Sequence, residues 1–215
     1  MIGLIVLLLF IGGGGALAWA TLIRGGDSVA PPVPLVAQPR GVTSYPVPES
    51  PLPLVPAGAW VASASASCVS SPSHDAGGTT VTYGPEKAVD GAADTAWRCE
   101  GAGVGHQLEV SFPGQMTLTG VGLVPGYAKT DAYDGTDRYA QNRRISAVRY
   151  TFDDGGSVVQ NFDTGTYRGL QTIALPNVAT SHLTITVLGS VAGEATNGQP
   201  PSDKVAISEV AVSRQ

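Results

Sequence analysis

Beyond residue 59 the chain alternates between apolar and polar positions in short runs. A period of two marks strands with one face in a core, because successive side chains point to opposite faces. The pattern is clearest in LEVSF (Leu108–Phe112) and AVRYTF (Ala147–Phe152). Similar runs predict strands at Trp60–Cys68, Gln107–Phe112, Leu118–Val124 and Ile145–Phe152, then at Val158–Phe162, Leu170–Leu175, Leu183–Val187 and Val205–Val212. Asp153–Gly156 (DDGG) predicts a hairpin turn, since Asp-Gly supplies the positive φ such turns need. Only Pro85–Val89 predicts a helical turn. Short strands between glycine-rich turns indicate an all-β sandwich or jelly roll.

The first part of the chain follows different rules. Residues Met1–Ile23 carry no charged side chain and contain the apolar run IVLLLF. A helix of that length reaches ~33 Å, enough for a bilayer core of ~30 Å. A retained transmembrane anchor is one reading; a signal peptide cleaved after ALAWA (Ala16–Ala20) is the other. Nine prolines then fall between Ala30 and Pro56. Proline fixes φ and lacks a donor, so residues 24–58 read as an extended linker, and the folded domain is expected at 59–215.

The net charge is −5, the pI is near 5.0, and only 13% of residues are charged. These values exclude nucleic acid as the main partner, which calls for a dense cationic face. Two cysteines are present, Cys68 and Cys99. An exported domain is expected to join them in a disulfide; two free thiols would suit a cytosolic protein. The expected location is therefore the cell membrane, single-pass, with the C-terminal domain extracytoplasmic. No cysteine or histidine pair has zinc-site spacing.

Two segments carry candidate chemistry. AVDGAADTAW (Ala88–Trp97) combines a tight Asp-Gly turn, a nearby hydroxyl and a tryptophan expected as a core plug. AISEVAV (Ala206–Val212) answers it near the C-terminus. Together they resemble the signature of discoidin domains, the coagulation-factor type C family of galactose-binding-like folds. PGYAKTDAYDGTDRYAQNRRI (Pro125–Ile145) narrows the likeness. It resembles the glycan-binding discoidin domains associated with bacterial NAD glycohydrolases and found in membrane-anchored proteins of actinobacteria. The resemblance covers about Ala62–Val212 and implies a discoidin-like jelly-roll β-sandwich of about eight strands. It also implies a structural calcium held by Asp90, Thr95 and Glu209, with carbonyls near Lys87 and Ala92 and that of Ala206. The alternative is a hydrogen-bonded clasp made of the same residues. No cofactor other than calcium is expected, and no chain is left over for an NAD glycohydrolase catalytic domain.

The segment after Pro125 is long for a connection inside a compact domain, which makes it a functional candidate in its own right. It brings Tyr127, Tyr133 and Tyr139 together with Lys129, Arg138, Asn142 and Arg143. Aromatic faces suit the C–H surfaces of sugars, and planar polar groups fork hydrogen bonds to adjacent hydroxyls. The competing reading is a loop packed by its own tyrosines and ion pairs. Arg98 is expected to pair with an acidic neighbour. The leading functional expectation is a membrane-anchored binding module for cell-envelope glycans. The alternative is a scaffold subunit docking on a partner membrane protein. Catalysis is not expected: there is no GxSxG elbow or HExxH pair, and Asp153 and Asp154 are adjacent rather than opposed.

Overall fold

The computed structural model describes residues 55–215. The expected membrane segment 1–23 and linker residues 24–54 lie outside the described residues. Among the described residues no helix is long and apolar enough to cross a membrane.

The domain is an all-β sandwich. Its strands in chain order are β1 (Val55–Pro56), β2 (Ser63–Ala66), β3 (Ser73–His74), β4 (Thr80–Val81), β5 (Trp97–Glu100) and β6 (Gln107–Val124). There follow β7 (Arg144–Thr151), β8 (Ser157–Asn161), β9 (Gln171–Val191), β10 (Lys204–Ile207) and β11 (Glu209–Arg214). The main sheet runs β1-β11-β6-β9-β7-β8, with β2 also paired to β6; β5–β10 and β3–β4 form two small sheets. All strand pairs are antiparallel.

Three sequence expectations change in the structure. The expected strands leave gaps at 113–117 and 176–182, but β6 and β9 continue through Pro113 and Pro176. Both prolines sit where the register slips, between Ser111 and Met116 and between Leu118 and Gly120, so neither owes a ladder hydrogen bond. Asn177 takes a positive φ of 57° at its slip. Four expected strands are therefore two long ones. Conversely, AISEVAV is two strands. Residues up to Ile207 pair with β5, those from Glu209 pair with β6, and Ser208 between them receives the Ala128 amide on its Oγ at 2.9 Å. The sandwich also includes residues before 59, because Val55 and Pro56 add a strand opposite Val212 and Ala211.

Alternation along β5 settles what faces the core. Trp97 and Cys99 point inward with Val205 and Ile207 of the paired strand, among Leu108, Leu123, Ile145, Leu183 and Ile185. The Trp97 indole is fully buried and donates to the Cys68 carbonyl at 2.9 Å, as expected of a plug. Cys68 and Cys99 form the expected disulfide. Closing a loop of that span contributes about 3–4 kcal/mol in the chain-entropy description. Arg98, between two core residues, must face the other way.

Candidate functional site

On the outer side of β5, Arg98 meets a second, smaller cluster made by Tyr83, Ala96, Tyr127 and Ala206. Its backbone N–H donates to the Tyr83 carbonyl at 3.3 Å, which sets the ring beneath the side chain. The guanidinium carbon lies 3.5 Å from the Tyr83 ring centroid, a close cation–π stack. Tyr127 meets Tyr83 edge-on with centroids 6.2 Å apart, and Ser73 Oγ lies 2.6 Å from Tyr83 Oη. Arg98 is only 7% exposed, and burial depresses its pKa. Among the described residues it has no carboxylate within ion-pair distance and no side-chain acceptor; its Nε is buried without a hydrogen bond. The expected ion pair with an acidic neighbour does not form: Glu100, two positions on, pairs with Lys204 at 3.0 Å and acts on Arg98 only from a distance.

This cation lines a cleft of about 50 Å³ between the β3–β4 turn and the segment after Pro125. Tyr127, Lys129 and Arg138 line it too, joined by His74 and Asp75. Arg138 is held by the buried Asp131 at 2.7 Å and by Gln141 Oε1 at 2.9 Å. That hydrogen bond is the main reason the Asp131 carboxyl lies below the usual carboxylate range. Burial pushes the Tyr127 hydroxyl up to about 12, so it stays protonated.

The segment is more folded than a protruding loop. Asp137 caps a four-residue helix, α1 (Arg138–Gln141), accepting the amides of Tyr139 and Ala140 at 3.0 and 3.2 Å. Tyr139 is buried, lies against Gly126 where a Cβ would clash, and donates to the Tyr167 carbonyl at 2.8 Å. Buried Asn142 donates to the Arg138 carbonyl, and Arg143 reaches Ser190 Oγ at 3.0 Å and Asp203 at 2.7 Å. These three brace the segment and do not line the cleft. Tyr133 is 67% exposed, with its ring laid over Gly77 in the β3–β4 turn. The seven expected ligand residues thus divide: three line the cleft, one stands open beside it, and three are structural supports. Tyr83, Arg98 and His74 were missed. The alternation around Trp97 could have indicated the facing of Arg98.

A second constellation sits at Asp90–Thr95. Thr95 Oγ1 lies 2.9 Å from both Asp90 carboxylate oxygens, 3.0 Å from the Ala92 carbonyl and 3.2 Å from that of Lys87. A hydroxyl has one proton, so it cannot donate to four oxygens at once. Glu209 is buried nearby; the Gly91 and Val210 amides lie close to its carboxylate, but neither oxygen accepts a hydrogen bond of normal geometry. Burial is the main cause that pushes its carboxyl up to about 7; the Gly91 and Val210 amides oppose this and Asp90 adds to it. Orphaned carboxylate oxygens beside convergent carbonyls are a donor set that fits a hard cation such as calcium. Ala206, whose carbonyl was also expected there, is buried in β10 opposite Arg98.

The sequence profile described as NAD glycohydrolase translocation F5/8 type C domain matches residues 60–213. The chain belongs to this F5/8 type C domain family. The resemblance read from AVDG…TAW and PGYAK…NRRI is thereby established. No curated protein matches the sequence. Among solved structures, the F5/8 type C domain is similar to the family 32 carbohydrate-binding module of Clostridium perfringens NanJ, solved with galactose. They share 14% identity with a TM-score of 0.46, over 70% of this chain and 91% of that one. An F5/8 type C domain from Bacteroides fragilis is 18% identical with a TM-score of 0.45, covering 75% of this chain and 96% of its own. A further C. perfringens module, solved with GalNAc-β-1,3-galactose, is 15% identical with a TM-score of 0.47, over 74% and 99%.

Proposed function

We propose that this protein is a membrane-anchored, extracytoplasmic module that binds cell-envelope glycans without making or breaking bonds. Binding takes place in the cleft bordered by Arg98, Lys129 and Arg138. The observation that supports this reading is a concave site lined by the cations Arg98 of β5 and Lys129 and Arg138 of the segment after Pro125. Sugars offer dense hydroxyl and carbonyl acceptors, and forked guanidinium donors match adjacent pairs of them. Tyr83 and Tyr127 serve the site differently from the sequence expectation. Their rings are buried, so they orient Arg98, and Tyr133 is left as the open aromatic face beside the cleft. Ser73, on the cleft wall, is engaged with Tyr83 Oη, which fits a binding role better than a nucleophilic one.

Calcium belongs to the same proposal. Asp90, Thr95 and Glu209, with the carbonyls of Lys87 and Ala92, would hold it; the ion would supply a structural tie between the first long loop and the last strand.

Retention on immobilised envelope polysaccharide tests the binding reading. The full chain should be retained, and a His74→Ala/Lys129→Ala double variant should lose about tenfold or more in affinity, as expected for two polar contacts. Arg168→Ala, away from the cleft, should bind like wild type. Equal retention of all three proteins would contradict the cleft. A stoichiometric co-purifying membrane protein with no glycan retained would favour the scaffold reading.

A further inference from the structure

Resting on the glycan-binding reading, we infer that the cleft selects acidic sugars, with Arg98 receiving the carboxylate of a uronate-type residue. The argument begins with an uncompensated charge. A guanidinium removed from water is costly unless it is paired and its donors are satisfied. Arg98 is nine-tenths buried, and no described carboxylate or carbonyl takes a hydrogen bond from its side chain. The Tyr83 ring stacks on this cation and Glu100 acts on it from a distance, but no carboxylate forms an ion pair with it, and it lines the cleft.

Shape narrows the ligand. Tyr83 covers one face of the guanidinium at 3.5 Å, which leaves its edge as the contact surface. An edge presents parallel N–H groups in one plane, the arrangement a planar carboxylate accepts in bidentate fashion. The cavity of about 50 Å³ accommodates a head group of a few atoms, with a sugar ring remaining at the mouth. Charge agrees. Arg98, Lys129 and Arg138 stand against Asp75 and Asp131 on the cleft wall, an excess of positive charge in a chain of net charge −5. Both carboxylates are already engaged: Asp131 holds Arg138, and Asp75 accepts the amides of Gly77 and Thr79 at 3.0 and 2.8 Å. Neither is directed at Arg98. A neutral sugar would leave the buried charge uncompensated, whereas a carboxylate both neutralises it and fills its donors.

Calorimetric titration of the full chain tests the inference. The probes are the methyl glycosides of glucuronate, galacturonate and mannuronate, each beside its neutral parent and the parent's 6-phosphate. At least one uronide should bind about tenfold or more tighter than its parent, since a charge-assisted contact exceeds a neutral one by that order. Raising the salt concentration should shrink the difference. Arg98→Gln should abolish the difference between each uronide and its neutral parent. Arg98→Lys, which keeps the charge and loses the fork, should retain only part of it, and the melting temperature of each variant reports whether it has folded. Equal affinity for uronides and parents, or tighter binding of every 6-phosphate, would overturn the carboxylate assignment while leaving a glycan site standing. If no sugar of any class binds and envelope polysaccharide is not retained, the glycan-binding reading falls with it.

Discussion

Thr95 and Arg98 stand three residues apart and are incomplete in opposite senses. Around Thr95, acceptor oxygens outnumber donors: four lie within 3.2 Å of one hydroxyl, and Glu209 adds two more without hydrogens. At Arg98, a buried donor, Nε, stands without an acceptor. The first arrangement calls for a cation and the second for an anion. At Thr95 the expected result is that millimolar Ca²⁺ raises the melting temperature of the full chain by several degrees. Saturation at 100 times Kd corresponds to about 2.7 kcal/mol of added stability. Asp90→Asn and Glu209→Gln should each remove most of the shift; an unchanged shift in both would exclude this site. The two residues were not equally legible in the sequence. Asp90, Thr95 and Glu209 sit in recognisable local motifs. Arg98 could be placed outside the core by alternation with Trp97 and Cys99. Its tyrosine cover could not be foreseen, because Tyr83 and Tyr127 reach it only through folding.

At the scale of elements, the alternation read most strand positions well and misread their continuity. The expected strands stop just before Pro113 and Pro176, whose missing donors conflict with a continuous ladder, but a register slip removes the conflict. A local pattern cannot show that, since the slip depends on what the partner strand does. The segment after Pro125 failed in the other direction. Its tyrosines and arginines were visible as candidates, but which of them turn inward depends on Gly126 within the segment and on Ser190 and Asp203, which lie elsewhere in the fold. The DDGG hairpin fared better and carries a further consequence. Asp153 accepts both the Ser181 amide and its hydroxyl at 2.6 Å, and His182 Nδ1 lies at 3.1 Å, tying the β7–β8 turn to β9. The Ser181 hydroxyl is the main reason its carboxyl is lowered to about 2. The free value is about 3.9, so ionised Asp153 stabilises the fold above roughly pH 4, and this contribution is lost as pH falls toward about 2. Asp153→Asn should therefore melt below wild type at pH 6, and the two melting curves should converge near pH 2. A gap that is constant with pH would contradict the linkage.

For the molecule as a whole, the Asp90–Thr95 cluster and the Arg98 cleft lie on one β-sandwich of the F5/8 type C domain family. On the proposed function, a cleft with an excess of positive charge in a chain of net charge −5 would favour discrimination over general adhesion. The proposed anchor and linker would display that pocket to the envelope. The central claim, that glycans enter at Arg98, is tested most directly by ¹⁵N NMR of the full chain, including the arginine Nε–H region. The titrant is a fragment of the envelope polysaccharide that the protein retains. The expected result is a concerted shift of the Arg98 Nε–H with the amides of Asp75 and Lys129, while Tyr139 and Arg168 stay in place. Shifts confined to Tyr139 and Arg168, with Arg98 unmoved at saturation, would contradict it.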